Sequence, residues 1–165
     1  GEELMIFENG LVTHIHICSK GSEDMIGLSQ ANLVAGRGIE GDRYFLGTGT
    51  YSDKPDIREL TLIEQEVLDA LNENQPPLQR GPIKLEPHEH RRNITTKNVP
   101  LNYLVGKRFR MGKAVIEGGR LNFPCAYLQE LLGKPVHLPL YNRSGLNCRI
   151  IEGGEVHVGD PITLI

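Results

Sequence analysis

"LNCRIIEGGEVHVGDPITLI", residues 146–165, is a run of short β-prone segments broken by glycine. Valine, isoleucine and threonine favour extended backbone because their branched Cβ is restricted in a helix, and Gly and Pro end each segment at a turn. "RFRMGKAVIEGG", residues 108–119, has the same strand, glycine, strand layout, which is hairpin chemistry and not an internal repeat. Nearer the N-terminus, "LVTHIHIC" (11–18) alternates, with Val12, His14, His16 and Cys18 on one side and Leu11, Thr13, Ile15 and Ile17 on the other. That is strand periodicity.

Helical signals are few. "TLIEQEVLDALNEN" (61–74) has Thr61 and Glu64 spaced as a capping box, with Leu62, Val67, Leu68 and Leu71 on one apolar face. Its acidic residues, Glu64, Glu66, Asp69 and Glu73, read as a solvated face. A second helix is expected over 124–132, opened by Pro124 at the first helical position and ended by Gly133 and Pro135. "PLNYLVG" suits one short helical turn, "PPLQRGP" is helix-free, and "HRRNITTKN" reads as polar loop or strand end. Residues 36–56 carry five glycines and no helical period, so they are expected to form a long loop and a wall of a substrate pocket. Many short strands with two or three short peripheral helices predict a mainly β, barrel-like fold. The chain is read as one domain over 1–165, with about residues 1–9 as an N-terminal extension.

Composition narrows the function classes. The chain has 165 residues, 39% hydrophobic and 24% charged, with a formal net charge of −3, so the basic footprint of a nucleic-acid binder is missing. Its arginines are clustered locally instead, Arg37 with Arg43 and Arg91 with Arg92, which suits a small anionic ligand. No apolar run is long enough to span a membrane and no signal-peptide layout opens the chain, so a cytoplasmic location without membrane partners is expected.

Three cysteines without C-x-x-C spacing do not predict a disulfide framework. Cys18 and Cys148 sit in strand patterns and are expected in the core. Cys125 follows Pro124 at a helix start, where free N–H groups and the partial positive charge favour a thiolate. It reads as a nucleophile, a soft-metal ligand or a small buried hydrophobe. Asp42 is expected to orient its loop or pair with an arginine. His14, His16 and Cys18, with His88 and His90, offer zinc-type ligands without finger spacing; a half-exposed strand face is the plainer reading.

Five blocks in order, "GRGIEGDRYF" (36–45), "RRNITT" (91–96), "LNYLVGKRFRMGKAVIEG" (101–118), "FPCAYL" (123–128) and "RIIEGGEVHVGDPI" (149–162), resemble the MOSC domains, a family named after the C-terminal domain of molybdenum cofactor sulfurase. The resemblance runs from about Gly10 onward and implies a distorted β-barrel. It puts the functional cysteine at Cys125, as a molybdenum ligand in members that reduce N-hydroxylated compounds, or as a sulfur carrier in the sulfurase context. It implies a pterin cofactor near Arg91, Asn93 and Thr95, with Arg43 as a further anion contact; pyridoxal phosphate is not expected. Many small members have a second cysteine shortly before the functional one, where this chain has Leu121, Asn122, Phe123 and Pro124. That departure removes a redox partner for Cys125 and leaves a ligand role untouched. A small-molecule substrate and a separate electron or sulfur donor protein are the implied partners. A domain that keeps the fold and serves only in interaction is the alternative from a different class.

Overall fold

The computed structural model describes residues 6–165. Its strands are β1 (Gly10–Ile17), β2 (Ile26–Leu28), β3 (Gln30–Val34), β4 (Gly38–Ile39), β5 (Leu60–Glu64), β6 (Ile94–Lys97), β7 (Arg108–Met111), β8 (Ala114–Leu121), β9 (Leu146–Glu152), β10 (Gly154–His157) and β11 (Pro161–Leu164). Three short helices, α1 (Arg43–Leu46), α2 (Gln65–Asn72) and α3 (Ala126–Leu132), and a 3-10 turn at Leu101–Leu104 accompany them. Seven strands form a closed barrel in the order β11, β7, β8, β9, β5, β6, β1, and β1 returns to β11 with Gly10 opposite Ile162. Closure leaves few unpaired edges. β2 extends β1 outside the barrel, and β10, β3 and β4 form a separate small sheet.

β5 shows how the core divides. Leu60 and Leu62 point into the barrel with Ile94, Phe109, Ile116 and Ile150, whereas Ile63 points outward into a second apolar cluster with Val67, Leu71, Leu128 and Leu140. Strand alternation sends successive side chains to opposite faces, and here both faces are covered, one by the barrel interior and one by α2 and α3.

The expected helix over 61–74 is therefore split. Residues 60–64 are strand, because β5 pairs with β6 on one side and β9 on the other, and the helix occupies Gln65–Asn72. The capping-box groups have other partners: Thr61 Oγ1 is hydrogen-bonded to Asn93, and the Glu64 carboxylate accepts from the Leu101 N–H at 2.9 Å. A bulge between Val12 and His14 likewise interrupts the alternation of β1, so Ile15 joins Val12 in the barrel core. Cys18, one residue beyond β1, and Cys148, in β9, are both buried. The loop at 36–56 holds β4 and α1, and the Asp42 side chain caps α1 by accepting from the Tyr44 N–H.

Two glycines bring the wall elements together. A Cβ on Gly118 would overlap the Leu104 carbonyl oxygen, so β8 passes the 3-10 turn in direct backbone contact. Gly145, at φ +108°, lies as close to the Leu62 carbonyl and starts β9 against β5.

Candidate functional site

A cavity of about 410 Å³ opens between the loop before β5, the arginine segment before β6, the end of β8 and the start of α3. Cys125 lines it, half-buried. The helix begins two residues later than the sequence suggests, at Ala126: Cys125 is the extended N-cap residue (φ −136°, ψ 154°), and Pro124 lies outside the helix. The thiol makes no capping bond and lines the cavity with the Tyr51 phenol beside it. Its apolar side packs beside the cluster under α3.

Arg43, Lys54, Arg58, Arg91, Arg92 and Arg120 line the same cavity, and Asp56 is the one carboxylate among its lining residues. Arg43 and Arg92 form the floor, 4% and 8% exposed. Arg43 pairs with Asp42 at 3.0 Å, donates to the Arg91 carbonyl at 2.9 Å and stacks on the Tyr44 ring. Burial opposes its charge, but Tyr44, Asp42 and Cys18 outweigh burial and hold its pKa above the usual value. Arg37 lies instead over Phe45 at 3.9 Å.

Arg92 has no carboxylate partner among the described residues. Its Nε donates to the Ser144 carbonyl at 3.0 Å, Nη1 to the His90 carbonyl at 2.6 Å, and Nη2 to Asn122 Oδ1 at 2.7 Å and Ser144 Oγ at 2.6 Å. Burial pushes this guanidinium down to about 10, which still leaves it charged at neutral pH. Arg91 adopts a left-handed backbone, φ 67°, a conformation that costs a residue with a side chain about 1 kcal/mol. The irregularity lets consecutive residues 91 and 92 both reach the cavity, which regular strand alternation forbids. Arg91 Nη1 donates to the Glu23 carbonyl at 2.6 Å and Nη2 lies 3.4 Å from Cys18 Sγ.

Of the residues expected here, Cys125, Arg43 and Arg91 meet in the cavity, and Asn93 and Thr95 do not line it. Both belong to the segment that is covered on both faces in the barrel wall, and both are fully buried. Asn93 Oδ1 accepts from the N–H and hydroxyl of Thr61, and Thr61 itself lines the cavity. Thr95 Oγ1 bonds to His90 Nε2 at 2.8 Å, and His90 Nδ1 accepts from the Arg92 N–H. Asn93 thus stands one hydrogen bond behind the lining residue Thr61, and Thr95 two behind Arg92, by way of His90.

Sequence reasoning did not assign Tyr51, Tyr127, Asn122 and Asn147 to the site. Tyr51 and Tyr127 meet edge to face at 6.3 Å. Burial raises the Tyr51 phenol above its ordinary value, and Cys125 and Tyr127 add to the shift. Asn122 Nδ2 donates to Asn147 Oδ1, and Asn147 Nδ2 to the Ile57 carbonyl, so one chain of bonds runs from Arg92 to the loop. The departure from the resembled pattern at 121–124 was the one signal for Asn122.

His14 and His16 stack with ring centroids 6.2 Å apart. Among the described residues, no group of three or more His, Cys, Asp or Glu side chains is placed to hold a metal ion. No helix among them is long and apolar enough to cross a membrane.

Comparison with curated proteins gives no match. In fold the chain is similar to the YuaD protein from Bacillus subtilis, with a TM-score of 0.76 at 17% identity over 94% of this chain and 95% of that one. It is also similar to YiiM from Geobacillus stearothermophilus, 0.69 at 14% identity over 94% and 75%, and to YiiM from Escherichia coli, 0.64 at 20% identity over 96% and 69%. A MOSC domain family model matches residues 51–163. The match runs from the loop at Tyr51 through the last barrel strand, and the chain belongs to the MOSC domain family.

Proposed function

We propose that this protein binds a molybdenum-bearing pterin cofactor in the arginine-lined cavity, with Cys125 as the metal ligand, and reduces N-hydroxylated compounds with electrons from a separate protein. The observation that carries the reading is one thiol and two arginines without carboxylate partners among the described residues, Arg91 and Arg92, on the wall of one cavity. The donor set fits the group: a thiolate suits a soft metal site, and planar guanidinium forks suit a phosphate. The volume, about 410 Å³, falls within the range of roughly 300–1,000 Å³ usual for small-molecule sites.

When bound, the group supplies two-electron redox chemistry at an N–O bond. Overall, that bond breaks, two electrons and two protons are consumed, and the amine and water leave. Arg91 would hold the phosphate, Arg92, with four of its five N–H donors already bonded, would add its positive charge, and Arg43 fixes Arg91 through the Arg91 carbonyl. The Tyr51 phenol stays protonated at neutral pH and offers an O–H donor beside the thiol. Asn122 and Asn147 keep Arg92 and the loop in register.

A second reading is sulfur transfer through a Cys125 persulfide, favoured by a thiol that faces the cavity without a capping bond. Neither Cys18 nor Cys148 lines the cavity, so the role falls on Cys125 in either case. The test is molybdenum and pterin content of wild type and Cys125→Ala, produced in cells that make the cofactor, with cyanide-releasable sulfur measured in parallel. Molybdenum and pterin in wild type, with molybdenum lost in the variant, are expected. Neither in wild type, with releasable sulfur on Cys125, would replace the first reading by the second.

A further inference from the structure

A second cationic group stands at the mouth of the cavity. Arg120, on β8, holds Asp56 in a two-point fork: Nε donates to Oδ1 at 2.8 Å, and Nη2 donates to Oδ2. Arg58 lies 3.6 Å from the same Oδ2 and is itself fixed by the carbonyls of Tyr51 and Lys54. Two arginines therefore share one carboxylate, and Lys54 beside them has no carboxylate partner among the described residues.

The surroundings are aromatic and open. The Phe123 ring lies 5.3 Å from the Arg120 guanidinium and is 71% exposed, and Tyr51 is also exposed. Exposed aromatic faces beside a guanidinium fork are suited to a planar ligand that carries an anionic group. Asp56 belongs to the loop, not to the barrel, and its side chain is 32% exposed. The bonds from Arg120 hold its carboxyl down at about 2, so the group is ionised throughout the physiological range.

We propose that the Arg120 and Arg58 pair is a substrate anion subsite that Asp56 fills from within, and that a planar substrate bearing a carboxylate or phosphate displaces Asp56 and lays its ring on Phe123. A ligand carboxylate makes the same two Arg120 bonds that Asp56 gives up, the exposed Ile57 N–H that Asp56 Oδ1 also holds at 2.7 Å is left to water, and the released Asp56 is exposed enough to be rehydrated. Arg91 and Arg92 serve the cofactor phosphate, and the mouth serves the substrate. Resting on the reading given under the proposed function, the substrate class is an anionic N-hydroxylated compound. The binding subsite itself does not depend on that chemistry.

The test is calorimetric titration of the full chain with benzoate, phenyl phosphate, inorganic phosphate and neutral benzamide, with molybdenum and pterin content measured on the same batches. Asp56→Asn is expected to bind benzoate or phenyl phosphate about tenfold more tightly than wild type, because the fork is freed. Misfolding cannot produce such a gain. Adding Arg120→Gln to Asp56→Asn is expected to abolish it, and benzamide is expected to gain nothing. A preference for benzoate assigns a carboxylate and a preference for phenyl phosphate assigns a phosphate; either supports the subsite. Equal affinity in wild type and Asp56→Asn would overturn the displacement. A loss that follows Arg91→Gln and spares Arg120→Gln would move the anion to Arg91 and overturn the subsite. Inorganic phosphate binding as tightly as phenyl phosphate would overturn the aromatic wall. Missing molybdenum and pterin with the anion results intact would remove the cofactor reading and leave the subsite standing.

Discussion

Arg92 is the residue at which the cavity departs furthest from ordinary core chemistry. A buried cation is stable only where hydrogen bonds replace its water, and here four neutral oxygens from His90, Ser144 and Asn122 do so. No carboxylate is spent on it, so its charge remains available to a ligand. Arg92→Met removes the charge and strands the Ser144 and His90 carbonyls, while the Ser144 hydroxyl and Asn122 Oδ1 keep only their bond to each other at 3.3 Å. The relief of a buried charge offsets part of that loss, and a net destabilisation of about 2–3 kcal/mol is expected. It would be read as a lower urea midpoint with an unchanged slope. Arg92→Lys restores the charge without the planar fork, so it should recover less than half of that loss. An Arg92→Met chain as stable as wild type would show that the four bonds do not hold this wall.

At the scale of elements, β8 carries the site because Gly118 lets it touch the 3-10 turn at Leu101–Leu104. Gly118→Ala places a methyl group against the Leu104 carbonyl, where backbone must move, and a cost of about 2–3 kcal/mol is expected in urea unfolding. Anion binding should weaken as well, since Arg120 and Asn122 follow on the same segment; unchanged stability would deny the close approach. The glycines were visible in the sequence as breaks, but their neighbours were not. The same limit explains the rest. Barrel strands such as β1, β8 and β11 were legible because alternation and β-branched residues act locally, whereas β5 was read as the first turn of a helix. The starts of α2 and α3 were misplaced because Thr61 and Glu64 find tertiary partners and Cys125 remains extended. Cys125, Arg43 and Arg91 were legible because their side chains carry distinctive chemistry. Asn93 and Thr95 have suitable chemistry too, but which way a doubly covered strand turns them depends on barrel closure. Asn122 meets Asn147 only through the pairing of β8 with β9.

For the whole molecule, the barrel wall encloses neutral histidine, and this sets how stability responds to acid. His90 is fully buried, and its Nδ1 accepts the Arg92 N–H, which leaves the ring proton on Nε2 beside Thr95. Burial drives its pKa well below the usual value, with the Arg92 charge adding to the effect. His16 is lowered to about 4, by burial first and then by His14 and His88. Both groups take a proton more readily in the unfolded chain, where the value is about 6.5. Above that pH neither state binds the proton and stability is level. As pH falls below it, the unfolded chain is protonated first, so stability declines, for His16 until about pH 4 and for His90 to lower pH still. Each histidine contributes a slope of up to about 1.4 kcal/mol per pH unit. Asp56, held at about 2, adds its own loss only below the unfolded carboxylate value of about 3.9, so it follows the histidine step. Urea midpoints at pH 7.5, 6.5, 5.5 and 4.5 should therefore fall slightly across the first pair, by about 0.4 kcal/mol per histidine, and more steeply across the rest. His16→Gln should flatten the fall, most of all between the last three points. A profile level from pH 7.5 to 4.5 would mean that the histidines are charged or solvated in the folded chain, and the neutral His90 that supports Arg92 would be lost with it.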